Sequence, residues 1–150
     1  GKFITNLVMF YQTTGNILVE TNGPKLIEIT ERVIYWLQNR ECYEGILNTY
    51  IMHTSASLII QENADPSVQL DLIEFFNNTV PESRAYKHKF EGQDDMPAHI
   101  KSSLTNTSLS LSIQSGSLLL GEWQAIYLFE HRKVAQSRKI NLHFIGTKKV

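Results

Sequence analysis

Residues 108–130 read SLSLSIQSGSLLLGEWQAIYLFE, and the first part of this stretch alternates strictly: Leu109, Leu111 and Ile113 fall between Ser108, Ser110 and Ser112. Side chains on a strand point alternately to its two faces, so the pattern predicts a strand with one apolar and one polar face. Ser115-Gly116 predicts a turn. The run from Leu118 to Glu130 that follows is rich in Trp, Ile, Tyr and Phe and reads as a second, longer strand. Gly121 within it predicts a bulge or a close backbone approach. On this strand Trp123, Ala125, Tyr127 and Phe129 share one face, and Gln124, Ile126, Leu128 and Glu130 share the other. An amide and an acid on an apolar face need partners, because an unpaired buried polar group costs about 1–3 kcal/mol. Two readings of Glu130 follow: it pairs, with Arg138 or with Gln124 across strands, or it marks the strand end beside His131-Arg132.

Working outward, Phe3 to Tyr11 and Ile17 to Glu20 read as short strands separated by the turn-like Thr13-Thr14-Gly15-Asn16, a candidate hairpin. Leu26 to Ile29 is extended, and Thr30 is placed to cap a helix from Glu31 to Asn39 with Val33, Ile34 and Leu37 inward. After Gly45, the run Ile46 to His53 puts Leu47, Thr49, Ile51 and His53 on one strand face. Asp65-Pro66 opens a second helix, in which Val68, Leu72, Phe75 and Phe76 recur at helical spacing until Pro81 ends it. Glu82 to Ala98 is polar and irregular, long for a connection in a compact domain, and such loops are usually either functional or disordered. Arg138 to Ile145 reads as a final strand. Strands mixed irregularly with two main helices predict an α+β fold, a single domain over residues 1–150.

Composition bounds the function. The chain has 150 residues, 14 Lys+Arg against 15 Asp+Glu, five His and one Cys. A formal net charge of -1 removes the electrostatic case for a nucleic-acid partner. The lone Cys42 excludes an intramolecular disulfide or a cysteine-cluster metal site, so any metal must be held by His and carboxylates. The apolar runs are far short of a bilayer span and no export signal is visible, which predicts a cytoplasmic protein with no membrane partner.

His53, His88 and His99 lie at a strand end or in the polar loop region, near Glu62, Asp65, Asp94 and Asp95 in sequence. Imidazoles with carboxylates suit zinc or another divalent ion. The spacing contains no compact pair such as His-x-x-x-His, and each histidine taken alone reads as an ordinary hydrogen-bonded one. Asp95 lies four residues before His99, but a helix starting near Pro97 does not align the two. His53-Thr54-Ser55-Ala56-Ser57 sets a histidine beside hydroxyls, yet neighbours on a strand face opposite ways, which argues against a Ser/His nucleophile there. Its hydroxyls and amides remain candidates for binding phosphate or carboxylate. No Gly-x-Gly-x-x-Gly or Walker-type loop is present.

Several blocks together resemble one family: His53-Thr54-Ser55-Ala56-Ser57-Leu58; Glu62-Asn63-Ala64-Asp65-Pro66; His88 with Glu91-Gly92-Gln93-Asp94-Asp95-Met96-Pro97-Ala98-His99-Ile100-Lys101; and Leu120-Gly121-Glu122-Trp123-Gln124 with Glu130-His131-Arg132 and Arg138. Their order and spacing, from about Gly45 to Gly146, resemble the YjbQ-like family, also called secondary thiamine-phosphate synthases. Gln61, Asn106, Ser112 and Glu122 stand where that family usually has Asn, Gly, Pro and Thr. None of the four is a proposed ligand, and Glu122 makes its surroundings more acidic.

The resemblance implies a compact α+β domain with an antiparallel sheet sandwich, a homotrimer, and a pocket where His53, His88 and His99 hold a divalent metal, zinc or magnesium. It also implies a weak thiamine-phosphate synthase activity, in which a pyrimidine methyl diphosphate is joined to a thiazole phosphate with loss of pyrophosphate. The resulting expectation is a metal-assisted transferase acting on a small phosphorylated metabolite, with Asp95 or Glu62 as acid/base or as a group orienting an imidazole N–H. Ser55, Lys101 and Arg138 are the expected phosphate or carboxylate contacts, Arg138 because its planar fork matches two oxygens, and Gln124 and Glu130 complete the substrate-binding set. Two alternatives stand beside this one: a metal- or metabolite-binding homotrimer without efficient catalysis, and a metal-dependent phosphatase or other hydrolase.

Overall fold

The computed structural model describes residues 9–150. It begins with one long strand, β1 (Phe10–Thr21), where a hairpin was expected; most of the predicted strand Phe3 to Tyr11 lies outside the described residues. Gly15 makes no turn. It is glycine because the Trp36 indole crosses the strand there, and a Cβ at Gly15 would lie 2.6 Å from Trp36 Nε1. The next elements are β2 (Lys25–Glu28) and α1 (Thr30–Asn39). Thr30 does not cap α1; its hydroxyl accepts from Ile126 N at 2.9 Å and so ties the helix start to a neighbouring strand. Trp36, rather than Ile34, joins Val33 and Leu37 on the buried face.

β3 (Cys42–Ile51) and β4 (Ala56–Glu62) follow, then α2 (Pro66–Thr79), whose Asp65 carboxylate accepts from Ser67 N as the Asp-Pro pair predicts. A third helix, α3 (Asp95–Leu104), adds to the two expected. It starts two residues before Pro97, which sits in the first turn where its missing N–H breaks no helical hydrogen bond. β5 (Ser108–Gln114) is the alternating strand that opened the reading. Ser115 (φ 50°) and Gly116 (φ 79°) make the two-residue turn into β6 (Ser117–Leu118), with both central residues at positive φ as the twist of a tight hairpin requires. The predicted strand Leu118 to Glu130 is interrupted here. Residues 119–123 leave the sheet, and Gln124 Oε1 accepts from Gly121 N at 2.7 Å, so Gly121 lies in a turn instead of a bulge. β7 (Gln124–Glu130) and β8 (Gln136–Lys148) complete the chain.

The strands form two antiparallel sheets, ordered β1-β8-β3-β5-β6 and β2-β7-β4. Leu47, Ile51, Leu111, Ile140, Leu142 and Phe144 of the first pack against Leu58, Ile126 and Leu128 of the second, with Val33, Trp36 and Leu37 of α1 filling the same core. The opposite face of the small sheet, Ala125, Tyr127 and Phe129, is covered by Leu72, Ile73 and Phe76 of α2; the Phe76 and Phe129 rings meet edge to face at 5.5 Å. The period-2 face assignment on β7 is therefore borne out from Ala125 to Glu130. Cys42 is buried in the main core, where desolvation pushes its thiol up to about 11, so it is no nucleophile.

β3 and β8 approach unusually closely at Gly45 and Gly146, which face each other in register. A Cβ on Gly45 would lie 2.2 Å from Ile145 O, and one on Gly146 would lie 1.9 Å from Glu44 O. The register shift between Cys42 and Glu44 falls at this same crossing.

Candidate metal centre

The loop before α3 and the helix itself bring three ligand atoms together. Asp95 and His99 are separated by four residues and so share one face of α3, and His88 is delivered by the preceding loop. His88 Nε2 lies 2.7 Å from Asp95 Oδ2, and His99 Nε2 lies 3.1 Å from the same oxygen. One ligand atom from each of these residues falls within 4.8 Å of the others.

The protonation pattern of this group tests its fitness for a metal. His99 Nδ1 lies 2.9 Å from Thr54 O, a carbonyl that can only accept, so Nδ1 carries the proton. Neutral His99 then turns the Nε2 lone pair toward a carboxylate oxygen, which is repulsive unless a cation lies between them. Either an extra proton or a metal ion resolves the clash. A backbone carbonyl fixing the far nitrogen is the usual setting of a metal-bound imidazole. The donor set of two imidazole nitrogens and a carboxylate oxygen fits zinc.

Asp95 is buried, and its other oxygen accepts from Arg132 Nη1 at 2.7 Å. Burial alone would raise its pKa, but the His88 hydrogen bond and the Arg132 charge help to outweigh that and hold the carboxyl below the usual carboxylate range. The Arg132 guanidinium is itself fixed, with Nε on Asp94 Oδ2 at 3.0 Å and Nη2 on Glu91 O at 3.0 Å. Sequence reasoning placed Arg132 in a family block and gave it no role; no local spacing joins residues 95 and 132.

The remaining candidates lie elsewhere. His53 is not part of the group whose ligand atoms lie within 4.8 Å of one another, and its Nε2 accepts from Lys139 N at 2.8 Å. Burial and the Arg138 charge push its imidazole below the usual histidine range, so it is neutral. Glu62 ends β4 at the far end from Thr54, roughly 20 Å along the strand. Ser55, Glu130 and Arg138 come together, but in a buried network and not a substrate cleft. Arg138 Nε donates to Glu130 Oε1 at 2.8 Å, Arg138 Nη2 donates to Glu130 Oε2 and, at 3.0 Å, to Ser55 Oγ, and Thr21 Oγ1 donates to Glu130 Oε1. Pairing with Arg138, the first of the two readings of Glu130, is thus the observed one. Glu130 Oε2 also accepts from the backbone N–H of His131 at 3.0 Å and Arg132 at 3.2 Å, shaping the turn that presents Arg132 to Asp95. Gln124 holds the Gly121 turn, and Lys101 bonds Asn77 Oδ1 at 2.7 Å.

His131 has a partly satisfied structural role. Thr105 Oγ1 lies 2.9 Å from Lys101 O and 2.6 Å from Ser57 Oγ, and Ser57 Oγ lies 2.9 Å from His131 Nε2. Lys101 O must accept, so Thr105 donates to it; Ser57 then donates to Thr105, and His131 Nε2–H donates to Ser57. All three bonds form only with the proton on Nε2. His131 Nδ1 is left as a buried lone pair with no partner among the described residues.

Burial, then the charges of Lys101 and Arg138, push His131 from 6.5 down to about 3. The unfolded chain takes up a proton near 6.5 that the native ring refuses until about 3, so this group leaves stability unaffected above 6.5 and lowers it as the pH falls from 6.5 toward 3. The slope is about 1.4 kcal/mol per pH unit for one proton. Urea midpoints measured between neutral and mildly acidic pH are expected to fall less steeply in His131→Gln than in the parent.

The UPF0047 protein YjbQ-like family model matches residues 15–147, beginning well before the blocks read from the sequence. A UPF0047 protein of Synechocystis sp. is 42% identical over 144 residues, covering 95% of this chain and 98% of its own. The UPF0047 protein YjbQ of Salmonella typhimurium is 46% identical over 134 residues, covering 88% and 95%. Among solved structures, a YjbQ/UPF0047 family protein of Clostridium acetobutylicum, described as uncharacterized, superposes with a TM-score of 0.76 at 32% identity over 91% of this chain and 99% of its own. A Sulfolobus solfataricus protein of unknown function superposes with a TM-score of 0.85 at 21% identity over 92% and 99%, a likeness of fold. The chain belongs to the YjbQ-like UPF0047 family.

Proposed function

We propose that the chain is a metal-assisted transferase acting on a small phosphorylated substrate, with the joining of a pyrimidine methyl diphosphate to a thiazole phosphate as its candidate reaction. The observation that carries this reading is the convergence of His88, Asp95 and His99 on one point, with the far nitrogen of His99 held by a backbone carbonyl as in metal-bound imidazoles. Two nitrogens and one oxygen favour zinc over magnesium, which prefers all-oxygen surroundings. A dication held there supplies charge neutralisation to phosphate oxygens.

The chain's own residues do the positioning. Thr54 O orients His99, and Arg132 holds Asp95 in its ionised form. A groove of about 590 Å³ borders His88 and is lined by Arg84 and Lys89, cations suited to a second phosphate. In the candidate reaction the bond from the pyrimidine methyl carbon to the diphosphate oxygen breaks, a bond from that carbon to the thiazole nitrogen forms, and pyrophosphate leaves with the electron pair. The exposed Leu18, Ile46, Tyr50 and Ile145 on the outward face of the larger sheet support the homotrimer that the family resemblance implies.

A second reading, a metal-binding protein without efficient chemistry, is favoured by one observation: both oxygens of Asp95 are engaged, so it is not free to act as a base. Steady-state kinetics separate the two. The zinc-loaded protein is expected to turn over the two precursors together, and Asp95→Ala and His99→Ala to lower kcat/KM by about two orders of magnitude. A rate at background that neither substitution changes would leave only the binding reading. Phosphate release from one precursor alone would identify a hydrolase.

A further inference from the structure

A cavity of about 320 Å³ lies beside α3, lined by Asp94 and Lys101 from that helix and its cap, together with Asn77, Glu82, His131 and Lys133. Residues 94 and 101, seven apart, share a helix face, and it is not the face that carries Asp95 and His99. This cavity is therefore separate from the metal centre.

Its chemistry is unbalanced in two places. Lys101 is 8% exposed, yet its ammonium, with three N–H groups, makes one hydrogen bond among the described residues, to the neutral Asn77 Oδ1, and has no carboxylate within 4.0 Å. Nor can the acids in the wall answer it as they stand. Asp94 Oδ2 accepts from Arg132 Nε and from Lys133 N at 2.8 Å, and Glu82 pairs with Lys133 Nζ at 2.8 Å. A buried ammonium with no carboxylate in contact is costly: burial pushes Lys101 below the usual lysine range, and the more distant charges of Glu82 and Asp94 offset this only in part. The second imbalance is His131, 3% exposed, whose Nδ1 is an acceptor without a donor.

We propose that this cavity binds a small metabolite through a phosphate group that still carries one hydroxyl. The free N–H groups of Lys101 take its anionic oxygens, and its P–O–H meets the lone pair of His131 Nδ1. A carboxylate or a sulfate offers the anionic oxygens and lacks the hydroxyl. The site goes beyond the transferase reading and does not depend on it, since no residue in the cavity wall is one of the three metal ligands.

Calorimetric titration of the full chain with inorganic phosphate and with sulfate near neutral pH, with zinc bound and after its removal by a chelator, tests the proposal. Saturable phosphate binding is expected in both zinc conditions, with sulfate at least tenfold weaker, and Lys101→Met is expected to weaken phosphate at least tenfold. Phosphate should likewise raise the melting temperature of the parent and leave that of Lys101→Met unchanged. The proposal is overturned if no binding is detected, if binding needs zinc, if sulfate binds equally well, or if Lys101→Met retains parental affinity. The sulfate comparison uses the parent chain alone and decides the matter even if the variant does not fold.

Discussion

Glu130→Ala is expected to destabilise the protein by about 3–5 kcal/mol, a large share of the 5–15 kcal/mol that holds a typical domain together. Glu130 is fully buried and accepts from Arg138, Thr21, His131 N and Arg132 N. Removing the carboxylate strands the Arg138 guanidinium, 3% exposed, without its counter-charge. A Glu130→Leu/Arg138→Met double variant removes both charges, and the loss is expected to be much smaller, because an apolar pair replaces a buried ion pair at little cost. Urea unfolding with an unchanged m-value measures both. A double variant as unstable as Glu130→Ala would mean that the backbone contacts at His131 and Arg132, and not the charge pair, supply the stability.

Zinc content is the second large effect. Elemental analysis of the purified protein is expected to find about one zinc per chain, lost in His99→Ala and in Asp95→Ala, and kept in His53→Ala. Arg132→Met should retain a metal but bind it about 10–100-fold more weakly, because Arg132 touches Asp95 and not the ion. Zinc retained by His99→Ala, or lost by His53→Ala, would break the assignment of ligands made from this geometry. The family resemblance alone assigned all three histidines; the structure groups His88 and His99 with Asp95 and leaves His53 outside, its Nε2 bonded by Lys139 N.

Much of the fold was legible where one physical signal acts alone. Period-2 alternation identified β5, Asp65-Pro66 marked the start of α2, and Ser115-Gly116 located the hairpin turn. Failures came where tertiary contact overrides local preference. Thr13-Thr14-Gly15-Asn16 looks like a turn, yet twelve residues from Phe10 to Thr21 pair continuously with β8, and the glycine answers to Trp36, twenty-one positions away. The site behaves in the same way. Asp95 and His99 share a helix face that would have been readable had the helix been started before Pro97. Arg132 and Thr54 reach the centre from other parts of the chain, and no spacing in one sequence encodes such a meeting.

The crossing of Gly45 and Gly146 bears on how this sequence can drift. At each position a side chain would collide with main-chain atoms of the opposing strand, which no rotamer change can move aside. A second substitution at the facing glycine offers no relief, since it only adds another collision. Neither position can therefore be the first to vary, and no compensating partner opens a neutral route around them. Descendants of this chain are expected to keep both glycines for as long as they keep the pairing of β3 with β8, even where His88, Asp95 and His99 have been lost.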